Sequence, residues 1–281
     1  MTQPAAAPAA ADHRPLARAS GRDVREAIRS GAWRGITQGL AIGHVQANLA
    51  IVRKDYAEEM REFCRLNPTP CPLLDMTEPG NPEPKRVAPG GDVRTDLSRY
   101  RLYRDGALVD EFGDIKGLWR DDHVAFLIGC SLSLDTVLLE ADIPMRHLTM
   151  PGARNAVYIS GIDCKPAGRL HGPMVVSMRP IKNHLVQRAI DATSRYPVAH
   201  GAPLATGDSR QLGVADITKV DWGRFDPLAD DETPVWWGCG VTPQSIAMAC
   251  KVPEMITHLM GHMFVTDLLL HDLADKPAYG L

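Results

Sequence analysis

The chain has 281 residues, 44% of them hydrophobic and 23% charged, which is enough to bury the core of one large domain or two smaller ones. A formal net charge of -3 excludes the electrostatic footprint of a nucleic-acid or anionic-membrane binder and leaves a small molecule as the default partner. No apolar run is long enough to span a bilayer, and the start lacks a cationic segment followed by a hydrophobic one, so a cytoplasmic protein is expected.

Residues 1–18 are Ala/Pro-rich without hydrophobic periodicity and read as a disordered tail. Ser20-Gly21-Arg22-Asp23 then starts a short helix with Val24, Ala27 and Ile28 on one face. A glycine-punctuated connection, residues 35–43, leads to a strand at 45–52 that carries Gln46 and Asn48 on one side. Asp55 is expected to cap a helix over 56–66 whose Tyr56, Met60 and Phe63 form a core stripe. Residues 67–72 must be extended, because each proline pushes its predecessor out of the helical region. Prolines and glycines dominate 77–92, which reads as a linker. Arg104-Asp105-Gly106 between alternating segments predicts a hairpin, and its exposed look suits a homodimer contact.

An apolar run at 124–128 enters Gly129-Cys130-Ser131, and Ser133 is expected to cap a helix over 134–141. A loop at 161–172 delivers the chain to a strand over 174–178, ended by Arg179-Pro180. A helix is predicted over 181–195, then a loop at 198–208 too rich in small and polar residues to be core. The strand-turn-helix device returns at the far end: residues 234–237 run into Gly238-Cys239-Gly240, Thr242 caps, Pro243 occupies the first helical position and Pro253 closes the helix. Aligned without gaps, Gly129 falls on Gly238, Cys130 on Cys239, Ser133 on Thr242 and Asp135 on Gln244, and residues 172–177 echo 261–266. This reads as a degenerate internal duplication with its halves facing each other, although α/β proteins also produce such units independently. The fold class is therefore α/β, or mixed α+β: a larger α/β sandwich over 19–88 and 181–281, with a smaller α+β part over 89–180 inserted.

Six cysteines are too sparse for a disulfide framework, and none forms a C-x-x-C pair, so reduced thiols are expected. Cys130 and Cys239 each sit at a helix N-terminal turn, where a thiolate is favoured and where backbone N–H groups suit a carboxylate or oxyanion.

The runs GCSLSLD (129–135), HGPMVVSMRP (171–180), HGAPLATGD (200–208), PVWWGCGVTPQ (234–244) and ITHLMGHMFVTD (256–267) resemble the D-glutamate cyclase family, whose bacterial members are described as hydro-lyases. GHVQANLAIV (43–52) and CPLLD (71–75) extend the resemblance over nearly everything after the tail. The family usually has Ala-Pro in place of Leu259-Met260 and Pro in place of Ser209, and 150–163 follows its pattern poorly. The resemblance implies reversible loss of water from D-glutamate to give 5-oxo-D-proline, with no known organic cofactor.

Such a cyclisation needs an α-amine stripped of its proton, a stabilised oxyanion at the attacked γ-carboxyl, and an acid for the departing oxygen. The two turns and their first helical residues, Cys130, Ser131 and Ser133 with Cys239, Gly240, Thr242 and Gln244, are candidates for substrate binding. Arg179, before a proline, suits a fork to the other carboxylate or, alternatively, a surface ion pair. His200, Asp208, His258, His262 and Asp267 form the pool for proton transfer, and the residues alone do not rank them. Asp208 after Gly207 also fits a plain Asx turn.

Two other readings stay open. His258 and His262, four apart with Asp267 following, have the spacing of divalent-metal ligands, although no Glu follows His258 and Gly261 argues against a regular helix. A metal-dependent hydrolase or lyase is thus one alternative, with no metal assigned; a non-catalytic binder of small carboxylates is the other.

Overall fold

The computed structural model describes residues 16–150, 152 and 154–278. Two antiparallel sheets carry the fold. The first contains β1 (His44–Arg53), β2 (Leu73–Met76), β3 (Tyr100–Arg104), β4 (Ala107–Phe112), β5 (His123–Gly129), β10 (Glu254–His258) and β11 (Phe264–Leu269), in the order β2-β5-β1-β10-β3-β4, with β11 also on β1. The second contains β6 (Ala156–Asp163), β7 (Pro173–Lys182), β8 (Ala205–Thr206) and β9 (Glu232–Gly238), in the order β6-β7-β9-β8. The helices are α1 (Gly21–Arg29), α2 (Lys54–Leu66), α3 (Asp135–Glu140), α4 (Arg146–Thr149), α5 (Val186–Ser194) and α6 (Thr242–Ala249), giving the expected mix of helix and sheet. No described helix is long and apolar enough to cross a membrane.

Strand alternation sorts the core. Leu49 and Ile51 of β1 and Leu127 of β5 share one buried cluster with Leu134 and Val137 beside α3, Leu185 and Ala189 beside α5, and Val235 and Trp237 of β9. Ala50, Val52 and Phe126 point to the opposite face of the first sheet, where Met60, Phe63 and Cys64 of α2 and Ile246 of α6 cover them. Tyr158, Val176, Met178 and Trp236 form a smaller cluster on the outer face of the second sheet. The expected stripe on α2 is therefore core, although that helix starts at Lys54 with no side-chain cap from Asp55.

The duplication is written in hydrogen bonds. The Cys130 amide donates to the Gln46 carbonyl and the Cys239 amide to the Val175 carbonyl, both at 3.0 Å. The Gln46 amide donates to Ser133 Oγ at 2.9 Å and the Val175 amide to Thr242 Oγ1 at 3.0 Å. Ser133 N–H and Thr242 N–H close the two turns on the carbonyls of Cys130 and Cys239. Neither hydroxyl caps its helix as predicted, because each is spent on a strand amide that would otherwise be buried unpaired. The downstream echo takes a different partner: β7 stands to β9 as β1 stands to β5, while β11 lies beside β1 as β6 lies beside β7.

Other boundaries also move. β7 continues through Arg179-Pro180 to Lys182, because Pro180 faces Pro234 across the ladder and both missing donors fall on one rung. The loop after α5 is partly core: Val198 and Ala199 are fully buried, and a Cβ on Gly129 would lie 1.8 Å from the Val198 carbonyl oxygen. Of the predicted tail, residues 1–15 lie outside the described residues, while Leu16 and Ala17 accept hydrogen bonds from Ala41 and Ile42. In the predicted linker, Val87 and Ala88 are buried in the main core. β3, β4 and β5 share a sheet with β1 and β10, so the two sheets do not follow the expected division at residues 88 and 180. The hairpin forms as predicted; its outer strand β4 is an edge, with Leu108 and Val109 about half exposed.

If the two turns are equivalent, their hydroxyls should be worth the same. Ser133→Ala and Thr242→Val are each expected to cost about 1–3 kcal/mol in urea unfolding, the penalty of a buried amide left unpaired. A loss at one position without a matching loss at the other would deny the equivalence.

Candidate active site at the paired glycine-cysteine turns

The turns meet where the sheets cross. A Cβ on Gly240 would lie 1.9 Å from Asn48 Nδ2 and 2.8 Å from the Gly129 carbonyl oxygen, so only glycine permits the approach. Asn48 is held there by hydrogen bonds to the carbonyls of Ile128 and Gly129. Cys130 is buried and Cys239 partly so, and removal from water pushes Cys130 up to about 12 and Cys239 up to about 11. They are thiols at neutral pH, not the thiolates that the turn position suggested. The amides of both cysteines are likewise taken by strand carbonyls rather than offered to a ligand.

Arg179 is the charged group of this centre. It projects from β7, is 2% exposed, and reaches the Ser131 carbonyl at 3.0 Å and Ser131 Oγ at 3.3 Å through Nη2. Its guanidinium lies 5.3 Å from the Trp237 ring centroid. The carboxylate nearest to it is Asp135, with Oδ1 at 3.7 Å from Nη2. Nε and Nη1 are buried without an acceptor among the described residues, as are Asp135 Oδ1, Ser177 Oγ and His200 Nε2 as hydrogen-bonding atoms. Alternation along β7 puts Ser177 on the same face as Arg179. Buried polar atoms are nearly always partnered, so such a concentration points to something that binds here.

His200 belongs to this group. Its ring donates from Nδ1 to the Thr69 carbonyl at 2.7 Å, which leaves Nε2 as a bare lone pair. Burial, seconded by the Arg179 charge, pushes it down to about 4. Its backbone is left-handed, with φ of 83°, strain of a kind that clusters at functional sites.

A narrow cleft leads to Arg179. Its polar lining is Arg146, His147, Asn155, Arg179, Arg224, Asp226 and the exposed Arg154, strongly cationic on balance. Arg146 is paired with Glu232 and Arg224 with Asp226. His147 Nε2 lies 2.8 Å from Asp135 Oδ2. His147, Arg154 and Arg224 were not among the residues singled out from the sequence, for they lie in stretches without periodicity or motif.

The remaining candidates sit elsewhere. Gln244 Nε2 donates to the Tyr103 hydroxyl in the first sheet. His258, at the end of β10, has Nδ1 3.2 Å from the Leu49 amide nitrogen and 3.3 Å from the Leu49 carbonyl oxygen, and its Nε2 is unpartnered among the described residues. His262 lies in the turn before β11 with Nδ1 2.7 Å from Ser98 Oγ. Burial pushes both rings down to about 4, helped at His262 by its neighbour His258. Asp267 is forked by Arg25, with both nitrogen–oxygen distances 3.0 Å, and half-exposed Asp208 is held by Arg210. The metal reading is not supported by this geometry: among the described residues no three His, Cys, Asp or Glu side chains group so as to hold an ion.

Residues 124–267 match the D-glutamate cyclase family. A protein of Stutzerimonas stutzeri (strain A1501) named "Putative hydro-lyase" is 53% identical over 87% of this chain and 92% of its own. The chain belongs to the D-glutamate cyclase family. Similarly named proteins of Thermoanaerobacter sp. (strain X514) and Bacillus subtilis (strain 168) are 50% and 46% identical, over 88% and 90% of this chain and 92% and 98% of theirs. A nitrogen repressor-like protein from Methanococcus jannaschii aligns with 92% of this chain and 98% of its own at 11% identity and a TM-score of 0.40, too slight a likeness to inform the site. In this member of the family, both turns and all nine candidate residues from His200 onward fall inside the matched segment.

The buried histidines make stability depend on pH. A ring whose pKa falls from 6.5 unfolded to about 4 folded binds fewer protons in the native state throughout that window. Stability is therefore full above about pH 6.5 and is lost as the pH falls towards 4, by up to roughly 3 kcal/mol for each fully enclosed ring. Urea unfolding at pH 7.5, 6 and 5 should show this decline, and His200→Asn should flatten it; a pH-independent midpoint would contradict the buried neutral rings.

Proposed function

We propose that this chain is a hydro-lyase that catalyses the reversible dehydrative cyclisation of D-glutamate to 5-oxo-D-proline, binding the substrate at Arg179. Arg179 carries the reading. A guanidinium that is 2% exposed, with two nitrogens unpartnered and its nearest carboxylate 3.7 Å away, is a costly arrangement unless an anion completes it. A carboxylate accepts two parallel N–H bonds from such a fork, which suits an amino-dicarboxylate entering through the cationic cleft. The family to which the chain belongs bears the name of this reaction, and the relatives that it matches are named hydro-lyases.

The chemistry makes modest demands. The α-nitrogen bonds to the γ-carboxyl carbon, one carbon–oxygen bond breaks, and the two protons released by the ammonium leave with that oxygen as water. No net proton is taken up or lost. Arg179 would hold a substrate carboxylate, and the bare lone pair of His200 Nε2 suits an orienting bond from the ammonium. With a pKa of about 4, His200 is too weakly basic to strip that ammonium at neutral pH.

The test is incubation of the protein with D-glutamate, and separately with 5-oxo-D-proline, with and without a chelator, followed by NMR. Interconversion that survives the chelator is expected. Arg179→Lys should lower kcat/KM at least thirtyfold, about the lower end of what losing a buried charge contact costs, while the thermal transition stays within a few degrees. Binding of D-glutamate without turnover would instead make the chain a carboxylate-binding protein.

A further inference from the structure

We infer that His147 is the proton-transfer residue of this cleft, carrying a proton from the substrate nitrogen to the departing oxygen. The inference rests on the proposed cyclisation for its reaction. It rests on independent geometry for its residue. One carboxylate, Asp135, holds both partners: Oδ2 lies 2.8 Å from His147 Nε2 and Oδ1 lies 3.7 Å from Arg179 Nη2. The imidazole and the guanidinium thus flank one carboxylate, and both line the same cleft. Asp135 is itself only 5% exposed, and α4 is tied down by the Gln38 side chain, which donates to the His147 carbonyl.

A carboxylate on Nε2 sets the tautomer with the proton there and leaves Nδ1 as the basic nitrogen. Nδ1 has no partner among the described residues and is not one of the enclosed atoms, so it is the nitrogen able to meet a ligand in the cleft. This is the arrangement that a shuttling imidazole requires: one nitrogen anchored, the other free, the ring oriented by a third group.

The other titratable groups are less suited. Asp208 and Asp267 are each occupied by an arginine, and neither lines the cleft. His258 and His262 are engaged by the Leu49 amide and Ser98. Because the cyclisation has no net proton change, one group suffices: His147 Nδ1 takes a proton as the ammonium becomes nucleophilic and returns it as the carbon–oxygen bond breaks. The second proton moves from nitrogen to oxygen by the same route, and the ring ends neutral.

The deciding experiment is the NMR interconversion assay on wild type, His147→Gln and His147→Ala, the last with and without added imidazole. His147→Gln is expected to lower kcat at least a hundredfold with KM within about threefold, and imidazole is expected to restore at least tenfold of the loss in His147→Ala. A glutamine variant that keeps a tenth or more of kcat overturns the inference. So does a loss that appears in KM or that imidazole does not relieve, since a structural role would behave in that way. Wild type that interconverts nothing would sink the reaction reading instead, and His147 is then decided by carbethoxylation of the folded protein, mapped by peptide mass. A ring that is modified, and shielded by saturating succinate, sustains its place at the ligand; an unmodified ring overturns it.

Discussion

The centre of this molecule hangs on two hydroxyl–amide bonds. Ser133 takes the amide of Gln46 and Thr242 takes that of Val175, and each ties the turn after one strand to the middle of the strand beside it. Each bond stays within its own sheet, β5 with β1 and β9 with β7, and the two sheets meet where the second turn closes on the first. There Gly240 comes close to Asn48 and Gly129, and Arg179 of the second sheet reaches Ser131 of the first turn. A strand amide in the interior must have an acceptor, so the hydroxyls are positioned by the cost of leaving that amide bare.

Against that rigid centre, Arg179 is an unfinished interaction. Water cannot solvate it, Asp135 is loosely placed, and Trp237 offers only its ring face. A protein seeking stability alone would gain from an apolar side chain there. The arrangement is understandable if the missing energy arrives with a ligand, for preorganised charge and hydrogen-bonding groups are what an anionic substrate recognises. His200, with its left-handed backbone and bare Nε2, is a second local cost borne at the same place.

Much of this was legible in the sequence, for reasons that particular residues make clear. The hairpin at Asp105-Gly106, the stripe of Met60 and Phe63, and both glycine-cysteine turns follow from local rules that tertiary structure did not override. Ser133 and Thr242 stood out as capping residues, and they do satisfy backbone amides, but those of distant strands. Sequence spacing cannot see a partner that lies 87 residues away, as Gln46 does from Ser133. His258, His262 and Asp267 illustrate the opposite error: near in sequence, they are separated by a strand end, a turn and another strand, and each meets a different neighbour. His147 was illegible because nothing local marks it; its meaning comes from Asp135, twelve residues earlier and on another helix.

The two matched turns differ in charge, and the reason lies at four pairs of positions. The hydrogen bonds that equate Gln46 with Val175 also equate Asn48 with Ser177 and Ala50 with Arg179, and the turns equate Ser131 with Gly240. At the first turn, the Arg179 charge from β7 enters beside the hydroxyl of Ser131. At the second turn, Asn48 of β1 fills the space above Gly240 and satisfies itself on the Ile128 and Gly129 carbonyls, while Ala50 brings no charge. Asp135, beside Arg179 and His147, has as its counterpart Gln244, which is spent on Tyr103. The second turn is thus a closed, neutral contact at the crossing of the sheets, and the first holds a buried charge. Such division lets stability and ligand binding be tuned at different residues of the same repeated frame.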